Sequence, residues 1–338
     1  MSGAVRLDLA ALFAPVAGEE KLGLAVSGGP DSLALMLLAA EWSRGNGVAL
    51  VVYTVDHGLR PEARDEAAVV VREAERLGLK ARSLRWSGPH PLMGIQAAAR
   101  SARYRLMAEA MASDGVAILA TAHHLADQAE TVLMRLAHGS GIEGLRGMDR
   151  INVVEDCEIF RPLLGIHPAT LRDIVAEAGL TPALDPSNDD ESYERVRWRK
   201  LLPALEALGL GIDRLGTLAR RMDEASSLVD GAVEAEWPQI VTPVTGVHFE
   251  ITHGRFAALN PLVGTRLLGQ VLQLASEDRR SPPLSALEAL QQQLQWFEPL
   301  KAVTLHGCVI ESDGETIAVR REKPRTASLK AALKETAN

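Results

Sequence analysis

Cysteine is scarce in this 338-residue chain: Cys157 and Cys308 lie far apart and no Cys-x-x-Cys pair occurs. That excludes a disulfide scaffold and a cysteine zinc site, and it fits a reducing compartment. No apolar run approaches the ~18 to 20 residues that a membrane-spanning helix needs. The first residues, MSGAVRLDLAALFAPVAGEE, carry acids where a secretory leader needs bases. The expectation is therefore a soluble, cytoplasmic protein with no membrane partner. Internal repeats are absent as well. Positive charge is in deficit, with 36 Lys and Arg against 44 Asp and Glu for a net charge of −8, which argues against broad non-specific affinity for nucleic acid. The bases that exist are clustered, at Arg100, Arg103 and Arg105, at Arg195, Arg197, Arg199 and Lys200, and at Arg214, Arg220 and Arg221. Each cluster reads either as a solvated face or as a local site for anions. With 47% hydrophobic residues the chain is globular, and its length implies two or three domains.

Two familiar phosphate motifs are also missing: the Lys of GxxxxGK[ST] and the spacing of GxGxxG. In their place stands Leu22 to Ser32, LGLAVSGGPDS, a buried strand running into a glycine turn and a helix. Gly28 and Gly29 let backbone N–H groups approach an anion, and the helix that follows adds its positive end. Ser27 and Ser32 supply hydroxyls. Asp31 would repel phosphates unless a cation sat between, so it reads as a handle for Mg²⁺. The plain alternative is an ordinary turn capped by Asp31 or Ser32.

Strand and helix patterns then alternate. Leu33 to Trp42 is apolar nearly all round, and Val48 to Val55, VALVVYTV, reads as a strand buried on both faces. Glu62 to Leu77 has helical spacing with Gly78 after it, and Arg82 to Trp86 is a weaker strand. Ile95 to Met111 is a long helix with Gln96, Arg100 and Arg103 on one face. Val116 to Thr121 is another buried strand. His123 and His124 leave its end for a helix beginning near Asp127, on which Asp127, Glu130 and Thr131 share a face. Two acids there can hold Mg²⁺ or a substrate ammonium, or simply complement the helix dipole. Adjacent histidines cannot easily point to one ion, which argues against a histidine metal site.

Gly139 to Gly147, with four glycines in nine positions, looks like a mobile loop able to close over a site, or a connector. Phe160 to Leu164 leads to a helix over Pro168 to Ala178, and Asp185 to Asn188 is turn chemistry. The arginines at 195, 197 and 199 spread over most of a helix circumference, so not all three can serve one site. The fold class is α/β, a doubly wound, mostly parallel sheet, with a catalytic domain over 1–202 and a helical linker over 203–240. A small α+β domain at 241–325 contains a hairpin turning at Ser312 to Gly314, and a polar tail runs over 326–338.

The hexapeptide SGGPDS at 27–32 resembles the phosphate loop of the N-type ATP pyrophosphatases. Four further stretches narrow this: VDHGLR at 55–60, AARSARY at 98–104, ATAHHLADQAETVLMRLAHGSGIEGLRGM at 120–148 and DPSNDDESYERVRWR at 185–199. Together they resemble the tRNA(Ile)-lysidine synthetases over roughly the first 200 residues, the C-terminal part matching only loosely. The resemblance implies a C–N ligase that uses ATP and Mg²⁺ to adenylate the C2 oxygen of a cytidine in tRNA(Ile) with a CAU anticodon. L-Lysine then displaces AMP. It also implies roles. Ser27, Gly28, Gly29, Pro30, Asp31 and Ser32 would bind ATP, Asp31 would carry Mg²⁺, and Asp127 and Glu130 would bind lysine. Arg103 would act on the charge at phosphorus. One arginine of 195, 197 and 199 would reach the nucleotide, with Arg197 taken as catalytic and Arg195, Arg199 and Arg100 contacting tRNA. The family often has an acid where Ala126 stands, so no metal contact is expected there. A homodimer is left open, and the alternative reading is a tRNA 2-thiolation enzyme of the same superfamily.

Overall fold

The computed structural model describes residues 7–58, 62–88, 91, 94–183, 190–296 and 298–322. The turn at 185–188, Leu59 and Arg60, the Gln96 side chain and the tail at 326–338 lie outside the described residues. The described residues divide into two compact units, the first within 7–139 and 143–221, the second within 140–142 and 222–322.

The first unit opens with α1 (Leu9–Phe13), β1 (Lys21–Ala25), α2 (Pro30–Asn46), β2 (Ala49–Asp56), α3 (Glu62–Arg76) and β3 (Lys80–Arg85). It continues with α4 (Ile95–Asp114), β4 (Ile118–Ala120), α5 (Leu125–Ala137), α6 (Ile142–Leu145), β5 (Ile151–Val154), β6 (Cys157–Phe160), α7 (Pro168–Glu177) and α8 (Glu194–Ala207). Strand order is β3-β2-β1-β4-β6-β5, parallel except for the antiparallel β5–β6 edge. Alternation along β2 shows why the sheet is covered twice. Leu50 and Val52 join Leu22, Leu24 and the apolar residues of α2 in one layer, while Val51 and Tyr53 join Met107, Ala110 and Met111 of α4 in the other. α2 ends at Asn46 and is capped by Gly47, whose φ of 71° lets its N–H reach Ser43 O.

This order places a topological switch between β1 and β4, whose neighbours lie on opposite sides. Ligands of open α/β sheets bind at such a crevice, beyond the carboxyl ends of the strands. The residues that follow β1 and β4, at 26–32 and 121–127, are those singled out from the sequence.

Two differences from the sequence reading have local causes. The β5–β6 hairpin was not expected, because its turn, Glu155-Asp156, takes positive φ (47° and 64°) without the Asn-Gly that usually signals it. The expected linker at 203–240 is not a separate segment. Its first residues finish α8, and α9 (Ile212–Ile240) crosses from one unit to the other at 221/222. Leu202 and Leu205 of α8 pack with Leu215 and Ala219 of α9 and with Ala129, Val132 and Leu133 of α5, which draws the start of α9 into the first unit.

The second unit adds β7 (Val241–Thr245), β8 (His248–Thr252), α10 (His253–Ala257), α11 (Pro261–Ser276), α12 (Leu284–Leu294), β9 (Leu300–Leu305), β10 (Cys308–Ser312) and β11 (Thr316–Arg321). Its antiparallel sheet, β7-β8-β11-β10-β9, buries Phe249, Ile251, Ile310, Ile317 and Val319 with Leu267, Leu268, Val271 and Leu272 of α11. The β10–β11 turn is fastened by Asp313, whose Oδ1 accepts from the Glu315 and Thr316 N–H groups.

At the amino ends of β1, β2 and β3 one carboxylate joins the strands to α4. Asp114 accepts from Lys80 Nζ (2.6 Å), Arg82 (3.1 Å) and the Tyr53 hydroxyl (3.0 Å), while Lys21 Nζ holds its carbonyl (2.7 Å). Burial opposes the charged form, but these donors outweigh it and lower the Asp114 pKa to about 2. Asp114→Asn is expected to destabilise the first unit by about 1–3 kcal/mol. A depressed carboxylate stabilises above its unfolded pKa of 3.8 and loses that contribution as pH falls towards about 2. Denaturation of wild type and variant should thus show a full gap at neutral pH that closes between pH 4 and 2. A gap that persists at pH 2 would assign the loss to packing instead.

Candidate functional site

Gly28, with φ of +87°, turns the chain sharply after β1, and Ala183 N–H donates to its carbonyl (2.9 Å). Gly29 is the N-cap of α2 and has no side-chain cap, while Pro30 follows at the first helical position. The initial N–H groups of a helix have no carbonyl within it to bind, so this end is open to an anion. Ser32 Oγ shapes the loop by donating to Gly29 O (3.0 Å) and accepting from Ser27 N (3.1 Å), with Ser27 Oγ 3.3 Å away. Asp31 stands in the first turn with its side chain 34% exposed.

Across the switch point, α5 is capped by its own site residues. The His124 N–H donates to Asp127 Oδ2 (3.0 Å), and His124 Nδ1 accepts from the Asp127 N–H (3.4 Å). His124 Nε2 is left to face Asp31 Oδ2 at 3.5 Å, so one imidazole bridges the helix starts that follow β1 and β4. Burial disfavours its charge, yet Asp31, Asp127 and Glu130 prevail and raise its pKa. His123 behaves oppositely. Burial leads, Arg161, Arg195 and Arg100 add to it against Asp127, and the pKa falls to about 4. Its Nδ1 lies 2.9 Å from Thr121 Oγ1, so the two imidazoles do diverge.

α8 crosses α5 through a buried carboxylate. Glu130 is fully buried and accepts from Arg199 Nε (2.7 Å) and the second Arg199 nitrogen (3.3 Å), with Arg195 Nε at 3.5 Å. Arg195 also donates to Thr131 Oγ1 (3.0 Å), and Arg199 reaches to 3.8 Å from Asp127. Burial raises the Glu130 pKa and Arg199 pulls it back, while the Glu130 hydrogen bond raises that of Arg199.

Several expected placements change here. Glu130, taken as a lysine ligand, has both oxygens engaged by arginine, so an incoming ammonium would have to displace one. Arg197, taken as catalytic, is exposed and donates to Glu191 O (2.9 Å) and Ser192 O (3.0 Å), turned from the acids that Arg195 and Arg199 face. Arg199 and Arg195, taken as tRNA contacts, are the pair gathered at the site. The glycine stretch at 139–147 is not a loose flap where it passes α5. Gln128 Nε2 donates to Arg146 O (3.2 Å) and Met148 O (3.1 Å), and Arg135 donates to Gly144 O (2.7 Å) and Gly147 O (2.5 Å). Gly147 has φ of +76°, and a Cβ there would stand 2.6 Å from Gln128. On α4, Arg103 bonds His57 Nε2 at 2.9 Å beyond the end of β2, and Arg100 lies over the Tyr104 ring, 5.2 Å from its centroid. His124 was missed as a site residue. The signal available was its place as N-cap three residues before Asp127.

The first unit corresponds to a known family: the PP-loop domain model matches residues 1–205. A tRNA(Ile)-lysidine synthase of Rhodopseudomonas palustris is 43% identical over 93% of this chain and 94% of that protein. One from Bradyrhizobium sp. strain BTAi1 is 49% identical over 65% of this chain, a match that spans 62% of that protein. Among solved structures, a U34-tRNA thiolase from Methanococcus maripaludis superposes with a TM-score of 0.54 at 18% identity, over 64% of this chain and 78% of its own. That likeness is one of fold.

If Glu130 clamps α8 to α5, Glu130→Gln should cost about 2 kcal/mol, less than the ~3–5 of a fully buried pair because Arg195 and Arg199 are 38% and 45% exposed. In a double-mutant cycle by denaturant unfolding, Arg199→Gln should cost little once Glu130→Gln is present. Additive losses would contradict the clamp.

Proposed function

The chain belongs to the tRNA(Ile)-lysidine synthase family of PP-loop proteins, and from that premise we propose that it joins L-lysine to a cytidine of tRNA(Ile) bearing a CAU anticodon, in the cytoplasm. The observation that carries this reading is the meeting, at one switch point, of an uncapped helix start at 27–32 with the acids Asp31 and Asp127 and the cation Arg199.

The C2 oxygen of cytosine leaves poorly until it is phosphorylated. In the proposed reaction that oxygen attacks the α-phosphorus of ATP, pyrophosphate departs, and the lysine ε-amine then bonds to C2 while AMP leaves and a proton is lost. The α2 start and the Ser27 hydroxyl hold the departing pyrophosphate, and Ser32, whose proton goes to Gly29 O, shapes the loop around it. Asp31 suits Mg²⁺, a hard cation that takes one or two carboxylates together with phosphate oxygens. Its half-open carboxylate has that character, and among the described residues no group of three His, Cys, Asp or Glu side chains forms a protein cage for a metal. Bound there, Mg²⁺ would neutralise charge on the phosphates. Asp127 attracts the lysine ammonium, Glu130 holds Arg199 and Arg195 in place, and Arg103 stabilises charge developing at phosphorus. The base is flipped from the anticodon loop to reach this crevice.

Thiolation is the weaker reading. Cys157 and Cys308 are both buried and point at backbone carbonyls, Tyr104 O (3.5 Å) and Leu272 O (3.6 Å). Burial raises both thiol pKa values, that of Cys308 to about 11, which is the reverse of an activated sulfur.

Purified protein given unmodified tRNA(Ile), ATP, Mg²⁺ and radiolabelled lysine should transfer label to the RNA, and no label would defeat the proposal. In single-turnover adenylation Arg103→Ala should lose tens of fold or more, as expected for one preorganised charge donor, whereas Arg197→Ala should stay within about threefold because its contacts lie outside the crevice. Equal losses would contradict that division.

A further inference from the structure

Arg161 plays no part in the reaction outlined above, yet it emerges at the same edge of the sheet. Thr121 N–H donates to Phe160 O at 2.8 Å, which sets the ends of β4 and β6 side by side. Phe160 packs into the layer shared with α2, and Ile159 into the layer shared with α4. Strand alternation therefore sends Arg161 towards α4, to the side of Arg100 and Tyr104.

Only 4% of Arg161 is exposed. One terminal nitrogen is spent on neutral acceptors, Asp149 O (2.8 Å) and Asn152 Oδ1 (2.7 Å). Nε is buried with no hydrogen-bond partner, and among the described residues the guanidinium makes no ion pair. The Asp149 carboxylate, whose backbone carbonyl Arg161 holds, is itself paired with Arg146 at 3.1 Å. A buried cation without a counter-ion is costly, and an unmet buried donor adds to that cost. Burial weighs most heavily against the Arg161 charge, Tyr104 and Asp149 favour that charge from beyond pairing distance, Arg100 opposes it, and the balance lowers its pKa, while His123 stays neutral.

We propose that Arg161 binds the α-carboxylate of the amino-acid substrate, through the side-on edge formed by Nε and the terminal nitrogen not bound to Asn152. This rests on the lysine-attaching reading given above and adds to it how the enzyme tells lysine from other amines. The planar edge matches a carboxylate bidentately. Its depth suits the small end of an amino acid better than a nucleic-acid backbone, and the triphosphate has its own cradle at the α2 start. Anchoring the α-end there leaves the ε-amine to Asp127 and the activated base.

The test compares L-lysine with L-lysinamide, which keeps both amines and lacks the carboxylate, as acceptors with tRNA(Ile) and ATP. Wild type should favour lysine in kcat/KM by about 10- to 100-fold, the range of a charge-assisted contact. In Arg161→Gln that preference should collapse to within about threefold of unity, and Arg161→Lys should restore part of it. Because each ratio is taken within one preparation, partial misfolding cancels. Equal losses for both amines would make Arg161 purely structural, and a raised KM for tRNA with the preference intact would assign it to an RNA phosphate. Either result overturns the proposal. A wild-type ratio near one overturns it without any variant, while lysine attachment itself would still stand. Absence of any attachment would instead remove the underlying reading.

Discussion

A carboxylate that water does not reach holds the site together. Glu130 is fully buried, and the cost of removing its charge from water is offset by two arginines, Arg199 at 2.7 Å and Arg195 at 3.5 Å. Those arginines belong to a helix that starts far along the chain, so the ion cluster decides how α8 lies across α5. Once α8 is set, Arg199 falls 3.8 Å from Asp127, and Arg197, two residues earlier, is carried round to the outside. Replacing the cluster by apolar side chains could hold the helices as well, but it would leave no cation beside Asp127.

Charge at the crevice is arranged in layers. The acids Asp31 and Asp127 flank one imidazole, His124, and the arginines lie beyond them. A polyphosphate entering at the α2 start meets backbone N–H groups first and an acid next, an order that asks for a cation between phosphate and Asp31. One residue before His124, His123 is kept neutral among arginines, and Arg161 makes no ion pair among the described residues. The carboxylates thus gather on one side of the strand ends and an unpaired arginine lies on the other, the division that the proposed zwitterionic substrate would use.

Much of this was legible before any coordinates. The uninterrupted β-branched run of β2, the helical spacing on α3, α4 and α5, and the glycine turn after β1 are local signals, and each element formed where its signal lay. What escaped was set by residues distant in sequence. Of the three arginines at period two Arg197 was taken as catalytic, whereas the pair gathered at the acids is selected by Glu130, 69 residues from Arg199. The glycine stretch at 139–147 looked loose because the fasteners of its second half, Gln128 and Arg135, sit on the preceding helix. The β5–β6 hairpin was hidden by a turn of two acids in a backbone region that asparagine and glycine usually advertise.

The reciprocal bonds between His124 and Asp127 both begin α5 and present its acid to the crevice. In the proposed reaction Asp127 would thereby be both part of the helix cap and the group that meets the lysine ammonium, so folding and turnover would draw on the same carboxylate. Variation at either position is answerable to both demands at once, and a sequence that drifts there cannot trade one against the other. Compensation for such a change has to come from Asp31, Arg199 or another neighbour that already touches the pair.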